Sequence, residues 1–174
     1  MANTYEAIAT VTVGSGGAAN IEFTSIPATY TDLVVKTSLR NEDPTDQRAN
    51  VKITFNGNGS NYYERLLYAD GSSAASVART NLTSFAFFYA CMNGNTASTF
   101  SNGEFYIPNY ASANNKSVSF DCVTENNSAA NQILALNAGL WDNSAAITSI
   151  KLEDLNGYNI LQYSTATLYG IKNS

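Results

Sequence analysis

Apolar and polar residues alternate with a period of two along most of this chain, the spacing of strands that keep one face wet. Residues 5–13 alternate, with Ile8 off phase at one end, and Gly14-Ser15-Gly16-Gly17 breaks the pattern. Residues 20–24 alternate again and stop at Ile26-Pro27. Residues 32–39 read as a buried strand opening into a polar one, and residues 51–55 form a clean strand ending in Asn56-Gly57-Asn58-Gly59. Asn and Gly tolerate positive φ, so that tetrapeptide is a strong turn signal.

Residues 61–69 admit two periods. Tyr62, Leu66 and Ala69 share a helical face, while Tyr62, Glu64, Leu66 and Tyr68 share a strand face; the neighbouring pattern favours the strand. Residues 70–78 are small and polar and read as a long exposed loop. Further strands are expected over 82–92, 104–108, 117–123, 133–141, 146–152 and 160–171, with turn-rich stretches at 93–102, 109–115, 126–131 and Asn156-Gly157.

About eleven short strands with Gly and Asn turns, and no helix, predict one all-β domain over residues 1–174. Alternation with one wet face implies antiparallel pairing. The expected architecture is an antiparallel β-sandwich, jelly-roll-like, with eight core strands and the extras at an edge or in an arm. Residues 14–19 read as a hairpin turn; the alternative is a hinge for a short N-terminal arm. The apolar strand phases nominate Phe23, Leu33, Val35, Ile53, Phe55, Phe87, Phe105, Ile107, Val118, Phe120, Leu140, Ile150, Leu152 and Leu168 as the core.

Composition narrows the chemistry. The 174 residues are 44% hydrophobic, enough for a core, yet only 13% are charged. Asn 22, Ser 18 and Thr 17 fill the gap, so amides and hydroxyls keep the surface wet. The net charge of −5 argues against nucleic acid as a partner. No apolar run approaches the ~20 residues of a membrane span, and residues 1–6 lack the basic-then-apolar signature of a secretory signal. The chain has no His, which removes imidazole catalysis and His-ligated metals. Cys91 and Cys122 are too few for a thiolate zinc site and read as buried small hydrophobes. No metal, cofactor or catalytic residue is expected. Glu22, Glu64, Glu104 and Glu125 lie on or near predicted strands; a glycosidase would need two of them paired, which spacing does not show, and solvated strand faces explain them. Asp43, Asp46 and the Asn-rich turns lack EF-hand spacing.

Eleven Tyr against one Trp point to contact surfaces, because Tyr joins an apolar body to a polar tip. The pairs Tyr62/Tyr63 and Phe88/Tyr89 put one ring on each face of a strand, so one ring of each pair is expected to leave the core. A carbohydrate platform is the competing use of exposed aromatics. Interface candidates are Thr4, Tyr5 and Glu6 in a free polar N-terminal segment, Arg40, Glu42, Asp43, Asp46 and Arg48 in the most charged stretch of the chain, and Tyr62 and Tyr63.

Three stretches carry a resemblance. Residues 11–17 lead into Phe23-Thr24-Ser25-Ile26-Pro27-Ala28-Thr29-Tyr30-Thr31-Asp32-Leu33; then comes Tyr106-Ile107-Pro108-Asn109-Tyr110; then Ala138-Gly139-Leu140-Trp141 runs through Ile147-Thr148-Ser149-Ile150 to residues 162–171. In order and over nearly the whole chain, these resemble small virion structural proteins of tailed bacteriophages. The resemblance implies an all-β virion component, either a head decoration (cement) protein or a tail-appendage protein. It carries no functional residues, since the motifs are turns and strands. Lack of room for both a shaft and an attachment domain favours decoration. The expectation is therefore a non-enzymatic protein, assembled in the host cytoplasm into the virion, whose partner is the major capsid protein of the head. A tail fibre or receptor-binding appendage is the alternative. A homotrimer is expected, because a sandwich with few edge Lys or Pro residues needs its edges covered.

Overall fold

The computed structural model describes residues 4–44, 49–70, 73–124, 126–127 and 132–172. They form twelve strands and no helix: β1 (Tyr5–Thr12), β2 (Asn20–Phe23), β3 (Asp32–Asn41), β4 (Ala49–Phe55), β5 (Tyr62–Ala69), β6 (Ala74–Leu82), β7 (Phe85–Met92), β8 (Ser101–Ile107), β9 (Lys116–Val123), β10 (Leu134–Trp141), β11 (Ile150–Asp154) and β12 (Thr165–Ile171).

The pairing is that of a jelly roll with two inserted hairpins. The larger sheet runs β1-β12-β3-β8-β9-β10-β5-β6, and the smaller runs β2-β11-β4-β7. Without β5, β6, β9 and β10, eight strands remain. Among these, the first pairs with the last (β1 with β12), the second with the seventh (β2 with β11), the third with the sixth (β3 with β8) and the fourth with the fifth (β4 with β7). This nested order defines the jelly roll. All of these ladders are antiparallel; the sheets meet where β3 and β7 make a two-residue parallel contact, Arg40 with Cys91 and Asn41 with Met92. The four inserted strands extend one edge of the larger sheet, β8-β9-β10-β5-β6.

The strand count and turns follow the alternation, with four departures. Residues 14–19 are neither a hairpin turn nor the hinge of an arm, because β1 and β2 lie in opposite sheets and the glycine-rich segment carries the chain between them. Residues 74–82 are a strand, not a loop: small side chains suffice at an edge strand that pairs only with β5. Residues 146–149 are irregular, because a side chain takes over the ladder there. Asn56, held at φ 52° in its turn, accepts the Thr148 and Ser149 N–H groups at 2.8 and 3.0 Å and donates to the Ala146 carbonyl at 2.8 Å. The final strand begins only at Thr165, after the turn at residues 161–164.

Buried side chains from both sheets meet in one core. Phe55, Tyr62, Phe85 and Trp141 cluster at its centre, with Phe55–Trp141 centroids 5.5 Å apart and Tyr62–Phe85 4.9 Å apart. Phe88 packs edge-on against Phe105 and joins Phe120. Such edge-to-face pairs contribute about 0.5–1.5 kcal/mol each beyond area burial. Two nominated core residues fall elsewhere. Phe87 is only part-buried, because β7 carries a bulge: Val51 faces Phe88 while Ile53 faces Phe85, two residues against three. The extra residue flips the phase, so Phe85 and Phe88 both point inward. Leu140 is 38% exposed, while its neighbour Trp141 is fully buried.

Candidate interaction surface

The position of Leu140 follows from the whole of β10. Its sequence Leu134-Ala135-Leu136-Asn137-Ala138-Gly139-Leu140-Trp141 has its larger aliphatic phase at Leu134, Leu136 and Leu140, and that phase faces outward. Three residues of the other phase require the inversion. Trp141 belongs to the central aromatic cluster. Asn137 Nδ2 donates to the Phe87 carbonyl at 3.1 Å. Gly139 lies under Phe85, where a Cβ would meet the ring at 2.5 Å.

Neighbouring strands extend the apolar surface. In register, Leu134 stands between Val123 of β9 and Ala69 of β5, and Leu136 stands opposite Leu67 of β5. Leu67 is 54% exposed, Leu134 and Leu136 49% each, and Val123 38%. Among the described residues, five of the eight large exposed hydrophobics therefore share one face of β5, β9 and β10. Large contiguous apolar patches are uncommon on the surfaces of monomeric proteins.

Charge brackets the patch. On one side Asp121 of β9 lies directly across from Glu104 of β8, which pairs with Lys36 of β3 at 2.9 Å. Burial and the Glu104 charge push the Asp121 carboxyl up, and Lys36 partly offsets them; Glu104 in turn raises Lys36. On the other side lies Arg65 of β5, whose Nη1 donates to the Glu64 and Arg79 carbonyls at 2.9 and 3.1 Å.

The opposite face of the same hairpins seals the fold. One edge of β7 pairs with β4; the other, before its two-residue contact with β3, is met by side chains from the inserted strands. Glu64 accepts the Ala86 N–H at 3.1 Å, Asn137 donates to the Phe87 carbonyl, and Cys122 Sγ accepts the Tyr89 N–H at 3.2 Å. Glu64 is buried and lies 3.5 Å from Arg79, whose guanidinium also stacks over Phe87. Burial raises the Glu64 carboxyl and pushes the Cys122 thiol up to about 12. Cys91 and Cys122 are both buried and unlinked.

The nominated interface residues scatter over this fold. Thr4, Tyr5 and Glu6 are exposed but not a free arm: the Lys172 N–H bonds the Thr4 carbonyl, Tyr5 and Glu6 sit in β1 against β12, and Glu6 pairs with Lys172 at 3.2 Å. Arg40 is buried, its guanidinium donating to the carbonyls of Asn93, Asn95, Thr96 and Thr99, so it binds loop to strand and not a partner. Asp43 is fully buried beside Asn156. Glu42 is exposed and accepts from the Asn159 amide at 3.2 Å. Asp46 and Arg48 lie outside the described residues. Tyr62 is fully buried; its hydroxyl accepts the Phe55 N–H and donates to the Asn58 carbonyl, and burial raises it to about 12. Tyr63 faces the outer side as expected and donates to Asn81 at 2.8 Å. Phe88 and Tyr89 are both buried, so neither ring leaves the core.

Of the candidate carboxylates, Glu64 is enclosed, Glu104 lies on the open sheet face, Glu22 is on β2, and Glu125 is outside the described residues. Among the described residues, no three Asp, Glu or Cys side chains converge to hold a metal ion.

No family model and no curated protein matches the chain. Among solved structures, the crystal structure of the infectious bursal disease virus VP2 subviral particle aligns at 13% identity over 98% of this chain, with a TM-score of 0.12. The chain spans 41% of that protein's length. An alignment of this quality carries no argument about fold or function.

Proposed function

We propose that this chain is a non-enzymatic virion structural protein of a tailed bacteriophage, a decoration protein that binds the major capsid protein of the assembled head and stabilises the shell. The observation that carries the reading is the outward leucine phase of β10 with Leu67 and Val123. Folding has left the more hydrophobic side of a strand in water, and a partner surface is the physical reason to keep it there. Covering the exposed half of each leucine yields on the order of 1 kcal/mol. Asp121, Glu104 and Arg65 around the patch set orientation more than affinity. Jelly rolls build capsid and lectin domains alike, and the fold by itself assigns neither role.

A ligand that binds only the assembled shell stabilises it by mass action, with no covalent step. The protein assembles in the host cytoplasm and resides in the virion. On the particle it forms a homotrimer, which covers the three sheet edges paired on one side only, β1, β6 and β2. β6 has neither Lys nor Pro to blunt it, and its Arg79 is turned inward to Glu64. Light scattering at micromolar concentration, alone and with heads present, reads the oligomer directly.

Undecorated heads, heated with and without added protein, test the reading. The wild-type chain should raise the rupture temperature. The double variant Leu134→Thr/Leu136→Thr keeps β-propensity and should lose that protection while retaining its own fold. Heads that gain nothing, from a protein that instead adheres to host cells and blocks infection, would replace decoration with the tail-appendage reading.

A further inference from the structure

At the end of the sandwich where β3 finishes, two loops border an open groove of about 420 Å³. Ser98 and Phe100 form one wall, Leu161, Gln162 and Tyr163 the other, with Arg40 between them. Tyr163 is 69% exposed and sits at φ 70°, a left-handed conformation that a bulky side chain rarely adopts. Ser98, across the groove, is at φ 63°. The Tyr163 ring and hydroxyl have no hydrogen-bond, stacking or cation partner among the described residues. The tight turn over residues 161–164, closed by the Ser164 N–H on the Leu161 carbonyl at 3.2 Å, requires the positive φ at this position and presents the Tyr163 side chain to solvent.

One residue holds both walls in place. The Arg40 guanidinium binds the carbonyls of Asn93, Asn95, Thr96 and Thr99 at 2.9–3.2 Å and so fixes the loop bearing Ser98. The Arg40 backbone fixes the other loop: its N–H donates to Ser164 Oγ at 3.0 Å, and its carbonyl accepts the Leu161 N–H at 2.7 Å. The Tyr163 N–H is held by the Val13 carbonyl at 2.9 Å. The turn that presents Tyr163 is thus fixed in place. A rigid groove also spares a ligand the cost of ordering it.

The lining selects the ligand class. It offers an exposed aromatic face, a second ring at Phe100, a carboxamide able to donate and accept at Gln162, and the Ser98 hydroxyl. Its one charged group, Arg40, is spent on protein carbonyls, so an ionic ligand finds no counter-charge. A neutral sugar ring matches these features: its polarised C–H face suits the negative face of an aromatic ring, and its hydroxyls suit an amide. We infer that the Tyr163 groove is a binding site for a neutral saccharide, with the sugar stacked on the Tyr163 ring.

The test is saturation-transfer NMR on the full chain with the methyl glycosides of glucose, galactose, mannose, rhamnose and N-acetylglucosamine as probes, at millimolar concentration. At least one should receive saturation. Tyr163→Phe should preserve the signal. Tyr163→Gly should weaken binding roughly tenfold or more, while its Tm stays level or rises because glycine relieves the left-handed strain. No transfer to any of the five probes would overturn the assignment, as would equal transfer in wild type and Tyr163→Gly. No heads enter this experiment, so its outcome is independent of the shell reading.

Discussion

Gly139 shows how one residue can set the phase of a strand. A Cβ at that position would meet Phe85 at 2.5 Å, backed by the Tyr62 and Phe55 rings. Gly139→Ala should therefore overpack the core and lower stability by about 1–3 kcal/mol in denaturant titration; an unchanged midpoint would mean that Phe85 has room to move. Glu64 gives a pH-dependent signature. Burial lifts its carboxyl above the ordinary value, and the Ala86 and Phe87 N–H groups and Arg79 offset this only in part. The folded state thus keeps the proton to higher pH than the unfolded chain. The resulting contribution is complete below the unfolded carboxyl value, roughly 4.3, and is lost as pH rises through the folded one. Wild-type stability should fall relative to Glu64→Gln as pH climbs across that window, and parallel profiles would contradict it. The Cys122 thiol, pushed up to about 12 inside the core, should resist thiol reagents in the folded protein along with buried Cys91, and both should react after denaturation.

At the scale of elements, the inversion of β10 has a direct mutational reading. Trp141→Ala should cost about 3–5 kcal/mol and Leu140→Ala about 1 kcal/mol or less. The reverse order in thermal or chemical unfolding would place the leucine phase in the core. The strand itself was legible, because alternation over residues 133–141 is clear. Its facing was not, because hydrophobicity alone favours the leucines, and only the bulk of Trp141 and the absence of a side chain at Gly139 argue otherwise. Phe87 failed for a different reason: a bulge inserts one residue into β7 and shifts the phase partway along the strand. β6 was missed because Ala74, Ala75, Ser76 and Ala78 carry no β-branched or aromatic signal, yet an edge strand held by β5 needs little. In the charged stretch, Arg40 and Asp43 looked free by composition; Arg40 instead lies within β3, one residue before its end, where five loop acceptors meet its guanidinium.

For the whole molecule, the sandwich class followed from period-two segments and Asn-Gly turns; extras beyond eight core strands were expected at an edge or in an arm, but not that they are two hairpins inserted at one edge of the larger sheet. Strand order was beyond reach, because pairing β1 with β12 joins residues at opposite ends of the chain. The exposed apolar face was hidden for the same reason: Leu67, Val123 and Leu136 become neighbours only through β5-β10-β9 pairing. That face is the central claim, and hydroxyl-radical footprinting of the protein free and bound to heads tests it most directly. Binding should strongly suppress oxidation of Leu67, Leu134 and Leu136 relative to the free protein. Unchanged leucine oxidation on heads that demonstrably carry the protein would contradict the account.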